Sequence, residues 1–145
     1  MRTIFLNGNE FEWDYIGTLK EEARKYGITI DSDSYIGSNV RIDSGVIISQ
    51  DVIIDSGVRI DLGVKGKVYK VQHLSGLYKY KQDIIYTDKD IYIRMGCLTF
   101  TVDKWKGNFW NNDNEFLNDG DEGSVDRLEA FNICMRILKL DEIKG

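Results

Sequence analysis

Residues 28–63 read ITIDSD-SYIGSN-VRIDSG-VIISQD-VIIDSG-VRIDLG, one six-residue pattern written six times. The third place is always isoleucine: Ile30, Ile36, Ile42, Ile48, Ile54 and Ile60. The first place is Ile28, Ser34 or a valine. Side chains alternate along a strand, so first and third places point inward and second places outward. Asp, Ser, Gly and Asn fill the remaining places, and these are turn residues. Each hexad therefore predicts one short strand and one turn. A fixed period over many residues predicts that these units stack on one another.

A short stack must bury its ends, so the flanking segments are natural caps. Before the repeat, Asn7-Gly8 separates two apolar-rich runs, Thr3–Leu6 and Asn9–Trp13. Asn-Gly takes up the positive φ values of a tight hairpin turn cheaply. Residues 14–26 then read as a helix, with Asp14 as N-cap and Ile16, Leu19, Ala23 and Tyr26 on one stripe. Gly27 is placed to end it. After residue 66, Lys67–Val71, Leu77–Tyr86 and Ile91–Thr101 read as strands, the last interrupted by Gly96. Val102–Phe109 reads as a short helix, and Ser124 to about Leu140 as a longer one with a broad apolar face.

The chain has 145 residues, one domain's worth, of which 42% are hydrophobic. Its net charge of −5 argues against a nucleic-acid backbone binder, which needs clustered Lys and Arg. Two cysteines far apart, Cys97 and Cys134, suit a reduced cytoplasmic protein. No apolar run approaches the ~20 residues of a membrane span, and no secretory signal opens the sequence. The absence of proline fits a chain rich in strand pairing, which proline interrupts.

The repeat resembles that of the hexapeptide-repeat family of left-handed parallel β-helices, over about a quarter of the chain. The resemblance implies three hexads per triangular coil, hence about two coils, with crossovers of the uncommon left hand. It also implies 18-residue ladders, with Arg41 over Arg59 and Asp43 over Asp61. Like charges repel in such pairs, but Arg and Asp two apart on a strand can offset one another. Ile47 and Ile53 point outward and suggest a covered surface. The best-known members are trimeric acyltransferases that bind an acyl-CoA between subunits, with a histidine as general base. A second resemblance rests on Ile93-Arg94-Met95-Gly96-Cys97, Thr101 and Trp105, and on Phe5–Phe11 with the helix end before Ile28. These are similar to uncharacterised hexapeptide-repeat proteins of phages and other mobile elements. The expected fold is mainly β: a short left-handed parallel β-helix (28–66) between an N-terminal hairpin and helix (1–27) and a C-terminal β/α module (67–145).

Residues 28–64 contain no histidine; the single one is His73. A neutral imidazole is the usual base for deprotonating a hydroxyl or amine near neutral pH. No base-plus-nucleophile pair is legible, and Cys97 reads as a buried strand cysteine. The loop from Asn111 to Gly123 is rich in oxygen ligands but lacks calcium-loop spacing: counted from Asn118, its third place is Gly120. No metal site is therefore expected. Trp105–Trp110 reads as core packing around Gly107. The locally basic, aromatic stretch carries Lys67, Tyr69, Lys70, His73, Tyr78 and Lys79, which could hold an anion.

The function expected is a non-enzymatic binding or assembly protein without a cofactor. It would be a homotrimer that serves a phage or mobile element and engages a small anionic ligand or a host protein. One alternative is a diverged acyltransferase using His73 and acetyl-CoA or another acyl-CoA. The other is a sequestering protein for an anion such as a nucleotide.

Overall fold

The computed structural model describes residues 1–74, 81–96, 98–108 and 122–139. β1 (Arg2–Leu6) and β2 (Asn9–Trp13) form an antiparallel hairpin. Its turn residues Asn7 and Gly8 hold φ of 50° and 82°, values that Asn and Gly accept at least cost. α1 (Ile16–Arg24) buries Leu19 and Ala23. Its N-cap is Tyr15, not the expected Asp14, and no side chain caps it. Asp14 lies instead 3.6 Å from the N-terminal ammonium.

Each hexad then contributes one strand: β3 (Thr29–Ile30), β4 (Tyr35–Ile36), β5 (Val40–Ile42), β6 (Ile47–Ile48), β7 (Ile53–Ile54) and β8 (Arg59–Ile60). They pair in parallel at an 18-residue offset: Thr29 with Ile47, Tyr35 with Ile53, Arg41 with Arg59. The six third-place isoleucines are all at most 1% exposed. The Arg41–Arg59 repulsion is relieved twice over. Arg59 Nε lies 2.5 Å from Asp61 Oδ1, and the Arg41 guanidinium stacks 4.3 Å from the Phe5 ring centroid.

The whole is not the left-handed parallel β-helix that the repeat leads one to expect. It is a mainly β architecture of mixed sheets, with three helices among the described residues. β1 pairs in parallel with β5, so the hairpin joins a four-stranded sheet ordered β2-β1-β5-β8. β9 (Lys67–Leu74) pairs in parallel with β6 and opens an antiparallel meander with β10 (Gln82–Thr87), β11 (Ile91–Met95) and β12 (Leu98–Thr101). That sheet runs β12-β11-β10-β9-β6-β3; only β4 and β7 stay a two-stranded pair. The reason is edge chemistry. A pair of short parallel strands leaves unpaired N–H and C=O groups on its flanks. The segments expected to lie across the stack as caps satisfy these groups directly, and they bring antiparallel pairing with them.

Two cores result. The first gathers the hexad isoleucines and valines with Ile4, Leu6, Trp13 and Leu19, and reaches Val68, Ile85 and Tyr92 of the meander. The second lies beyond the meander, under α2 (Val102–Asn108) and α3 (Glu122–Ile137). It holds Ile84, Ile93, Met95, Trp105, Phe131, Cys134 and Met135. Trp105 Nε1 donates to the Ile93 carbonyl at 2.7 Å, which satisfies the one polar atom of a fully buried ring.

Burial pushes the Cys134 thiol up from 9.0 to about 12, and burial likewise raises the Tyr86 hydroxyl above its ordinary value. An unfolded thiol thus releases its proton before the folded one does. Above pH 9.0 the unfolded chain binds fewer protons, so stability falls with rising pH. This thiol adds no pH dependence below that pH; above it urea midpoints are expected to decline steadily toward about 12, with Cys134→Ala flattening the decline.

Candidate functional site

The meander sets charged residues side by side on one face. His73, Asp83, Arg94 and Thr99 occupy facing positions on β9, β10, β11 and β12. Asp83 is fully buried, with its carboxylate completely engaged. His73 Nδ1 lies 2.5 Å from Oδ1, Arg94 Nε donates to Oδ2 at 2.6 Å, and the Arg59 backbone N–H donates to Oδ2 at 3.1 Å. A carboxylate only accepts, so Nδ1 carries the imidazole proton in this contact. Arg94 also donates to the Gly96 carbonyl at 2.8 Å. Thr99 hydrogen-bonds Asp61, which holds Arg59. The row therefore closes a polar circuit between the meander and the last hexad.

Asp83 and Arg94 are the residues that sequence reading missed. Their signal was a charge inside an otherwise apolar strand, in QDIIYT and IYIRM. A buried charge of that kind requires a partner.

His73 Nε2 faces the hexad turn at Gly57. A side chain added to Gly57 would meet Lys81 Nζ at 3.2 Å and His73 Nε2 at 3.7 Å. Gly57 also sits at φ 83°, like Gly45, around which there is open space. Left-handed backbone costs a non-glycine residue about 1–2 kcal/mol. Gly57→Ala is therefore expected to destabilise more than Gly45→Ala, since it must also displace Lys81; urea unfolding of the two variants checks this.

Of the expected anion-binding set, the members among the described residues, Lys67, Tyr69, Lys70 and His73, do not line one cleft. Register shifts between Tyr86 and Thr87, which pair with Lys70 and Val68, so Tyr69 is the extra residue of β9. Alternation breaks there. Val68 and Val71 both pack on the first core. Lys70 Nζ lies 5.1 Å from the Tyr86 ring, on the side where Tyr86 joins the second core. Tyr69, 53% exposed, lines a cleft of about 440 Å³ with Asp88, Asp90 and Asp103, an acidic wall unsuited to an anion. Lys67 lines a different cleft, of about 420 Å³, with Lys20, Thr29, Asp31, Ile47 and Gln50. Neither cleft touches His73. Tyr78, Lys79, Cys97, Trp110 and the loop 111–121 lie outside the described residues.

Cys134 offers no nucleophile: it is fully buried and its thiol is held protonated to about 12. Among the described residues no three His, Cys, Asp or Glu side chains are grouped to hold a metal ion. Nor is any helix among them long and apolar enough to cross a membrane. Comparisons of the chain with protein-family models, with curated proteins and with solved structures find no match.

Proposed function

We propose that the chain is a non-catalytic binding protein. The observation that carries this reading is the seat of His73. A general base must reach the proton it abstracts, directly or through one water. The His73 side chain is only 13% exposed, is held through Nδ1 by Asp83, faces the Gly57 turn, and lies outside both clefts. The Asp83–Arg94–Arg59 contacts support a role for it in fastening the meander to the hexads. The test is acyl-CoA consumption with a panel of alcohol and amine acceptors. No turnover is expected from the wild-type chain, and His73→Ala should change its unfolding midpoint.

A second reading has one observation in its favour. A buried carboxylate that fixes Nδ1 leaves Nε2 free to accept a proton, which is how a positioned imidazole serves as a base. On that reading the chain is an acyltransferase with His73 as base. Turnover that His73→Ala abolishes would establish it and end the first reading.

The rest of the proposal concerns setting. We take the chain to act in the cytoplasm as a homotrimer and accessory protein of a phage or mobile element. Tyr35 and Ile53, paired on β4 and β7 and 50% and 63% exposed, are candidates for the subunit seam. Sedimentation equilibrium of the wild type and Ile53→Asp tests the seam.

A further inference from the structure

The 420 Å³ cleft is built by two elements. Its floor is the outward row of one sheet, where Thr29, Ile47 and Lys67 lie side by side on β3, β6 and β9. Strands lie about 4.8 Å apart, so this row spans roughly 10 Å. α1 packs along β3 and brings Lys20 to the same cleft. Among the described residues, neither the Lys20 nor the Lys67 ammonium has a carboxylate within ion-pair distance; the one carboxylate on Lys67 is that of Asp88, whose Oδ1 accepts its backbone N–H at 2.7 Å. The one carboxylate in the lining is Asp31, whose Oδ1 already accepts the Asp33 N–H at 2.9 Å. Two ammonium groups against one carboxylate make this a positive spot on a chain of net charge −5.

Two lysines converging on one cleft suit a phosphate, to which each adds charge and donors. The cleft falls in the ~300–1,000 Å³ range of ligand pockets, which leaves space beside a phosphate for an organic part. Ile47 gives that part an apolar floor between the Thr29 hydroxyl and Lys67. Gln50 and the free oxygen of Asp31 can accept from hydroxyl or amine donors. We infer that this cleft binds a phosphate monoester of nucleotide or sugar-phosphate size, with its phosphate held by Lys20 and Lys67 and its organic part laid over Ile47.

The inference rests on the binding reading and gives it a ligand and a place. It is tested on the full chain by thermal shift and calorimetry. The probes are adenosine 5′-monophosphate, glucose 6-phosphate, inorganic phosphate, adenosine and glucose. A ligand that binds only the folded chain raises its midpoint. At least one ester is expected to do so, with about tenfold or more weaker binding for inorganic phosphate, the equivalent of ~1.4 kcal/mol. Adenosine and glucose should have no effect. Lys20→Ala and Lys67→Ala should each weaken the ester about tenfold, and together abolish the shift. Lys89→Ala, in the acidic cleft, should leave it intact and shows that general loss of positive charge is not the cause. No shift with either ester overturns the inference, as does a shift that survives the double variant or inorganic phosphate binding equally well. Such a failure removes this ligand alone; the non-catalytic reading stands or falls on the acyl-CoA assay.

Discussion

Asp83→Ala is expected to destabilise the chain by about 3–5 kcal/mol, the range for breaking a buried ion pair from one side. Three donors converge on this fully buried carboxylate: His73 Nδ1, Arg94 Nε and the Arg59 backbone N–H. Alanine would strand the Arg94 guanidinium, itself only 7% exposed, with the Gly96 carbonyl as its remaining acceptor among the described residues. The cost is that of an unpaired buried charge rather than the net worth of the pair. The distinction can be measured. Replacing Asp83 with Leu and Arg94 with Met together removes both charges, and such apolar replacements are often neutral or stabilising. Urea unfolding of the single and double variants should show the double recovering most of the loss. If the double is as unstable as Asp83→Ala, the circuit contributes through its shape and not through charge pairing.

The second large effect separates two neighbours of identical chemistry. Ile54 is fully buried and Ile53 is 63% exposed, on the same two-residue strand. Ile54→Ala is expected to cost about 2–5 kcal/mol, the transfer and cavity terms of a core isoleucine. Ile53→Ala should stay within about 0.5 kcal/mol in the monomer, as surface substitutions do. Equal losses would mean that Ile53 is covered, as the proposed subunit seam requires, and the Ile53→Ala loss should then depend on protein concentration.

What the sequence made legible was local. Strict six-residue spacing puts every third-place isoleucine inside, because that follows from strand alternation and a fixed period; the Arg41–Arg59 pairing was legible only through the three-hexad coil that the resemblance implied. Asn7-Gly8 and Gly27 likewise marked real turns through their own backbone preferences. The sheets were not legible. Nothing in Ile4 or Lys67 states that its strand will pair with a hexad edge, since that choice depends on which unpaired edge lies nearest in space. The extra residue at Tyr69 was equally hidden, and it divided a basic stretch that looked continuous in one dimension. The Asp83–Arg94 contact spans only 11 residues, yet it needs the β10–β11 register to exist. In the proposed phosphate cleft, Lys67 was legible as a candidate. Its partner Lys20 lies off the Ile16, Leu19, Ala23 and Tyr26 stripe and carried no signal of its own, because only tertiary packing brings α1 over β3.

The 18-residue offset also restricts how this chain could change in length. Successive hexads go to different sheets in rotation, β3 to one, β4 to the next and β5 to the third, before β6 returns to the first. An inserted or deleted single hexad would send every later strand to the wrong sheet. β9 would lose its place beside β6, and Asp83 its contact with Arg59. Three hexads at once restore the rotation. Length variation in residues 28–63 is therefore quantised in steps of 18. Relatives of this chain, when aligned, should differ in the repeat by whole steps of that size or not at all.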